Sequence, residues 1–203
     1  LLHFKIYLNV KKINSLEFYK AWIETVNNRQ EHLLSIWRNA KVYTNCIKGN
    51  DNCILEEVAS KLGLICYPYD YYFIDAVMYK SEDKVPETNP NNFWFRDIRV
   101  AFEHENNFNS GLYQEVSHLL ITNCDLRVLV TYPDRNTEVE LQYLHEVISG
   151  NRNFKSISDE KSFLIIFGYE NGFQWEGFTY TEEKWEQIEI NIESRVGKGE
   201  SHP

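Results

Sequence analysis

The sequence predicts an α/β protein, a mixed central β-sheet flanked by helices on both faces. Three observations carry that prediction. Segments with apolar residues at helical spacing alternate with short runs rich in aromatic and β-branched residues. Three of those runs follow one another with only turn-forming residues between them, as in an antiparallel meander. After a helix comes "DLRVLVTYP", Asp125 to Pro133, with the unbroken apolar character of a strand buried on both faces.

Taken in order, "FKIYLNV", Phe4 to Val10, alternates as a short strand. In "SLEFYKAWIETVNN" the residues Leu16, Tyr19, Trp22, Ile23 and Val26 recur near helical spacing behind Ser15, the expected N-cap. "RQEHLLSIWRNAKVYTNCI" is expected as a second helix or a bent continuation, broken by Lys48 to Asn52. A helix with Asp51 or Asn52 as cap then carries Ile54, Leu55, Val58 and Leu62 on one stripe and stops at Gly63. Leu64–Tyr67 and Tyr71–Tyr79 read as a hairpin turning at Pro68 and Asp70. Past the polar loop "SEDKVPETNPNN", "FWFRDIRVAFEHEN" reads as a third strand, antiparallel to the second. Asn109 and Ser110 are the expected caps of a helix with Leu112, Val116, Leu119 and Leu120 on one side. The buried strand follows, then the helix "TEVELQYLHEVISG" ending at Gly150. Last come two strands, "KSFLIIFGYEN" and "FQWEGFTYT", joined by Asn171-Gly172. The expected organisation is an N-terminal strand and helical extension over 1–50, an α/β core over 51–190 and a flexible tail over 191–203.

Composition bounds the function classes. Of 203 residues 43% are hydrophobic and 15% aromatic, enough for one full core. The formal net charge of −9, from 21 Lys+Arg against 30 Asp+Glu, opposes nonspecific attraction to polyphosphates, so a nucleic-acid enzyme would need local basic patches or bound divalent cations that outweigh the average. Cys46, Cys53, Cys66 and Cys124 show neither CxxC nor zinc spacing, so reduced thiols in a cytoplasmic protein are expected. No apolar run approaches the ~20 residues of a membrane span. A chain that begins at Leu1 rather than Met is expected to start inside a longer gene product. The phosphate-loop, dinucleotide-binding, nucleophile-elbow and HExxH patterns are all missing.

The carboxylates Asp75, Glu103 and Glu105 stand inside or at the end of runs that look buried, where an acid needs a partner. Strand alternation puts Glu103 and Glu105 on one face with Arg99 and Ala101, and turns Val100, Phe102 and His104 to the other. Asp75 shares its face with Phe73 and Val77, so on an adjacent antiparallel strand it faces Glu103 at roughly 5 Å between Cβ atoms. Two such acids call for a cation, and all-oxygen ligands suit Mg²⁺, Mn²⁺ or Ca²⁺ rather than zinc. The alternative is a solvated sheet edge, or ion pairs with Arg96, Arg99 or Lys80. His104 is expected as a packed or bonded core histidine. Glu115 and His118, three apart on a helix, read as surface decoration, and Tyr67, Tyr69, Tyr71, Tyr72 and Phe73 as strand packing, with base stacking the other reading.

Asp75, then Glu103-His104-Glu105 on the following strand, within a helix–three strands–helix–strand frame from about Asn52 to Tyr132, resembles the PD-(D/E)XK nuclease superfamily. The chain departs from the pattern in having Glu105 where the superfamily has lysine and Ile74 where proline commonly precedes the aspartate. The resemblance implies a restriction-endonuclease-like core with extra N-terminal helices, in which Asp75 and Glu103 hold Mg²⁺, with Mn²⁺ as a substitute. Glu105 would be a further ligand or a base. It also implies a carboxylate from the first core helix, Glu56 or Glu57, and contributions from Gln114, Glu115 or His118. Lys80 or Lys84 would supply the missing charge. The implied activity is phosphodiester hydrolysis with nucleic acid, DNA above all, as partner, and a basic patch from Arg96, Arg99, Lys80, Arg127 or Lys155 should flank the cleft. The extra helices would form a homodimer surface or a substrate clamp. Two other readings stand beside it: a catalytically degenerate nuclease fold acting as a protein-binding partner, and a small α/β protein whose carboxylates are structural.

Overall fold

In the computed structural model, residues 11–86, 93–134, 136–181 and 184–190 are described. The expected strand at Phe4–Val10 and the expected tail at 191–203 lie outside them. The first helix, α1 (Ser15–Asn28), opens one residue earlier than its capping was expected to. Asn14, not Ser15, accepts from the Glu17 amide at 3.0 Å, and Ser15 is left to bond the Lys161 carbonyl. The following helical stretch divides into α2 (Gln30–Ile36) and α3 (Ala40–Ile47), because Asn39 leaves helical geometry and its side chain accepts from the Val42 amide. Next is α4 (Ile54–Lys61), whose stripe Ile54, Leu55 and Val58 is buried and whose end is followed by Gly63 at φ 68°.

The strands β1 (Ile65–Tyr67), β2 (Ala76–Tyr79) and β3 (Val100–Glu105) form an antiparallel meander. Then α5 (Tyr113–Ile121) crosses over to β4 (Leu126–Thr131), which pairs parallel with β3. Two helices, α6 (Glu138–Ser149) and α7 (Phe154–Asp159), lead to β5 (Phe163–Tyr169), parallel to β4. A turn with Gly172 at φ 74° returns the chain as β6 (Gln174–Tyr180), and β7 (Trp185–Gln187) adds the last antiparallel edge. Among the described residues this makes one seven-stranded mixed sheet with strands in chain order. The α/β expectation therefore holds, with α7 and β7 as additions too short to stand out by periodicity.

Two strands are shorter than expected. Residues 71–74 close on themselves, the Tyr71 and Ile74 backbones bonding each other, so β2 starts only at Ala76. Residues 93–96 turn away to bond residues 83–85, so β3 starts at Val100. The helix expected to be capped by Asn109 and Ser110 begins later, after a 3₁₀ turn over Phe108–Ser110, with Leu112 at its N-cap.

The sheet separates two cores. On one face α1, α3 and α4 bury Phe18, Trp22, Ile47 and Val58 against Met78, Phe102, Val128 and Ile166. On the other, α5, α6 and α7 bury Val116, Leu144 and Ile157 against Val77, Ala101, Leu129 and Ile165. Each fully buried aliphatic or aromatic side chain contributes about 1.5–3 kcal/mol, which fixes the strand faces and hence where every polar side chain in between points. The four cysteines are free thiols. Among the described residues no helix is long and apolar enough to cross a membrane.

Candidate functional site

The antiparallel register of β2 and β3 sets Ala76 against Phe102 and Val77 against Ala101. Continued by one residue it sets Asp75 opposite Glu103. Asp75 completes the ladder with its side chain: Oδ2 accepts from the His104 amide at 2.8 Å, an amide that the tight turn at 71–74 leaves without a backbone partner on that strand. Glu103 is 4% exposed. Burial, then the charge and hydrogen bond of Asp75, push its carboxyl up to about 9. Glu105, two residues on and on the same face, is also raised, by burial first and then by Glu115 and Asp75, against the opposing bond from the Asn107 amide.

A cation reaches these acids from another element. Lys48, the residue closing α3, sends Nζ to Asp75 Oδ1 at 2.6 Å, to Asp70 Oδ1 at 2.7 Å and to the Asp75 carbonyl at 3.3 Å. Its side chain is 11% exposed. Burial alone would lower its pKa, but the two aspartates outweigh that and the net shift is upward. Lys80 and Lys84, the expected substitutes, are not at the site: Lys80 lines a surface pocket with Glu17, Glu24 and Lys61, and the Lys84 ammonium lies over the Phe93 ring.

The helix α5 supplies two more groups. His118 Nδ1 lies 3.3 Å from Glu103 Oε1, and Glu115 pairs with Glu105. Glu115 Oε2 is buried without a hydrogen-bond partner. The pair expected as surface decoration is therefore turned onto the carboxylates, because the apolar stripe Val116, Leu119 and Leu120 fixes the helix face and Glu115 and His118 flank it. Gln114 is exposed.

The acids are crowded, hard-oxygen and partly unsatisfied, a donor set that fits Mg²⁺ or Mn²⁺ better than nitrogen- or sulfur-preferring metals. Glu115 Oε2 is a buried carboxylate oxygen without a hydrogen-bond partner, an atom that a cation would answer. In the arrangement seen the carboxylates meet pairwise, Asp75 with Glu103 and Glu105 with Glu115. Among the described residues no three His, Cys, Asp or Glu side chains converge on one point.

Several expected contributors are engaged elsewhere. Glu57 accepts from Arg29 at 2.9 Å, with Lys61 3.9 Å away, and Glu56 folds back to the Asn52 amide. Arg99 is enclosed by Asp83, Asp97 and Asp125, its Nε 2.7 Å from Asp83 Oδ2. Arg127 is buried, its Nε and Nη2 each 2.9 Å from the carbonyls of Leu119 and Thr122, where it satisfies the C-terminus of α5. Neither arginine is available to a basic patch, which corrects the expectation for those two; Arg96 and Lys155 are exposed. His104 faces the other core: its Nε2 meets the Tyr132 hydroxyl at 2.8 Å, its ring stacks near Tyr43, and burial lowers its pKa to about 4.

No family model matches the chain, and neither does any curated protein or solved structure.

Proposed function

We propose that this chain is a metal-dependent hydrolase of phosphodiester bonds in nucleic acid, built on a restriction-endonuclease-like core formed by α4, β1 to β3, α5 and β4. The observation that carries the reading is the opposition of Asp75 and Glu103 across β2 and β3, with a lysine bonded to the first and a histidine to the second. Asp75, Glu103 and Glu105 would hold Mg²⁺, with Glu115 as a fourth oxygen donor, and Glu57 leaves the set because Arg29 binds it. When bound, the ion would polarise the scissile phosphate and make its bound water more acidic.

The chain's own residues do the rest. Lys48 is a positioning residue: all three of its ammonium hydrogens have acceptors on Asp70 and Asp75, so it holds Asp75 rather than touching substrate. Glu105, its carboxyl raised by burial and then by Glu115, would act as a further ligand or as the base that orients the attacking water. His118 braces Glu103 from α5.

A second reading, a catalytically degenerate member acting as a protein-binding partner, is favoured by the internal use of Arg99 and Arg127 in a chain of net charge −9. One experiment separates them. Wild type, Asp75→Asn and Glu103→Gln are titrated with Mg²⁺ and Mn²⁺ while thermal unfolding and cleavage of plasmid and oligonucleotide substrates are followed. The hydrolase reading expects divalent ions to raise the unfolding temperature of wild type alone and to support cleavage that both variants lose. Three proteins that behave alike, with neither stabilisation nor cleavage, overturn the hydrolase reading and leave the protein-binding one beside a purely structural role for the carboxylates.

A further inference from the structure

Most of the aromatic residues between β1 and β3 do not pack inward as strand residues. Tyr71 and Ile74 close a tight turn, with Tyr71 N to Ile74 O at 2.7 Å and the return bond at 3.1 Å. Its two tip residues are Tyr72 and Phe73, and Tyr72 sits at φ 57°. A left-handed tyrosine is strained, and the turn exposes two rings where glycine or asparagine would serve the backbone better. Tyr72 is 69% exposed and Phe73 48%.

These rings belong to a ledge. Tyr72 lies 6.1 Å from the Trp94 ring, and Phe93 lies 4.8 Å from Tyr67, which in turn touches Tyr69. Tyr69, Phe93 and Trp94 are all more than a third exposed, and the Lys84 ammonium stands 4.2 Å above the Phe93 ring. At its other end the ledge runs into the carboxylates: the Phe73 ring is 5.3 Å from His118, which contacts Glu103. Lys48 pins the loop to the site from both sides, holding Asp70 before the turn and Asp75 after it.

We propose that this ledge is the substrate platform of the hydrolase, and that it takes single-stranded nucleic acid by stacking unpaired bases on Tyr72, Phe73 and Trp94. The proposal rests on the phosphodiesterase reading for its choice of ligand. Exposed ring faces offer stacking only to bases that are not already stacked in a duplex. With Arg99 and Arg127 consumed internally, the ledge offers a strand its exposed rings, the Lys84 ammonium and the exposed Arg96, whose Nη2 bonds the Glu82 carbonyl. Stacking is tolerant of sequence, so little base preference is expected.

The test is a binding measurement that does not depend on cleavage. Fluorescence anisotropy of a labelled oligothymidylate about a dozen nucleotides long, within the ~4–16-nucleotide range of such sites, is compared with a hairpin duplex of the same length, in Ca²⁺ and in EDTA. Wild type should bind the single strand at least about tenfold more tightly than the duplex. Tyr72→Gly removes a ring while relieving the left-handed strain, so it should fold at least as well as wild type yet bind about five- to a hundredfold more weakly, as should Trp94→Ala. Tyr72→Phe, which keeps the ring, should bind as wild type does. Equal affinity for duplex, no binding of either nucleic acid, or unchanged binding by Tyr72→Gly overturns the proposal. So does a ledge whose substitution abolishes only self-association. Single-strand binding without metal-dependent cleavage would keep the ledge and remove the hydrolase; cleavage of duplex with no effect of the ring substitutions would do the reverse.

Discussion

Replacing Lys48 by methionine keeps the aliphatic stem and deletes the ammonium that bonds Asp75 and Asp70 at the carboxylate cluster. Its two ion pairs are unequal. Asp70 is 78% exposed, so that pair falls among surface salt bridges, about 0–1 kcal/mol. Asp75 is 25% exposed and Lys48 only 11%, which moves the second pair toward the buried class, where deleting one partner costs about 3–5 kcal/mol. Between those limits Lys48→Met should cost about 2 kcal/mol, or about 4–8 °C in unfolding temperature for a chain of this length. The raised pKa of Lys48 means that its contribution is complete below the unfolded value of about 10.4 and is lost only as pH rises through the higher folded value. Urea unfolding at neutral pH therefore reads all of it. A double-mutant cycle with Asp75→Asn should return about 1–2 kcal/mol of coupling, and a value under about 0.5 kcal/mol, the ordinary error of additivity, would refute the assignment of Lys48 to Asp75.

The arginine enclosed by three aspartates should set the acid limit of the fold. Burial by itself would raise the Asp83 pKa, but the two bonds from Arg99 and the Lys80 amide hold it below its ordinary value. Its stabilisation is then present above about pH 3.9 and lost as pH falls through the lower folded value, so Asp83→Asn should cost about 2–3 kcal/mol at pH 7, and the gap to wild type should begin to narrow only below about pH 3.9 in urea titrations. For Glu103 the sign is opposite. A carboxyl raised to about 9 makes the metal-free protein lose stability as pH climbs from about 4.3 toward that value, so Glu103→Gln in EDTA should unfold at a higher temperature than wild type at pH 8 and at a similar one near pH 4. Wild type being the more stable at pH 8 would mean that burial and Asp75 do not raise the Glu103 carboxyl.

Much of the site was legible one strand at a time. The period of two put Glu103 and Glu105 on one face and His104 on the other, and the antiparallel meander put Asp75 opposite Glu103, because alternation and pairing are local consequences of backbone geometry. The helical stripes of α1, α4 and α5 followed from the same local logic. What periodicity did not carry was the identity of partners distant in sequence. Lys48 meets Asp75 from a separate helix, Arg127 turns to the carbonyls ending α5, and Arg99 collects aspartates from three places in the chain. Each pairing depends on which faces the two cores bury together, and no short-range pattern encodes that. The turn at 71–74 was hidden for a related reason: Tyr72 and Phe73 look like strand residues by propensity, yet the bonds between Tyr71 and Ile74 override that preference. The sequence by itself determined the sheet, its faces and the acids that oppose one another. Only the tertiary structure decided which cation answers them, and that a row of aromatic rings lies open beside them, since both depend on contacts made across the sheet after its two cores have closed.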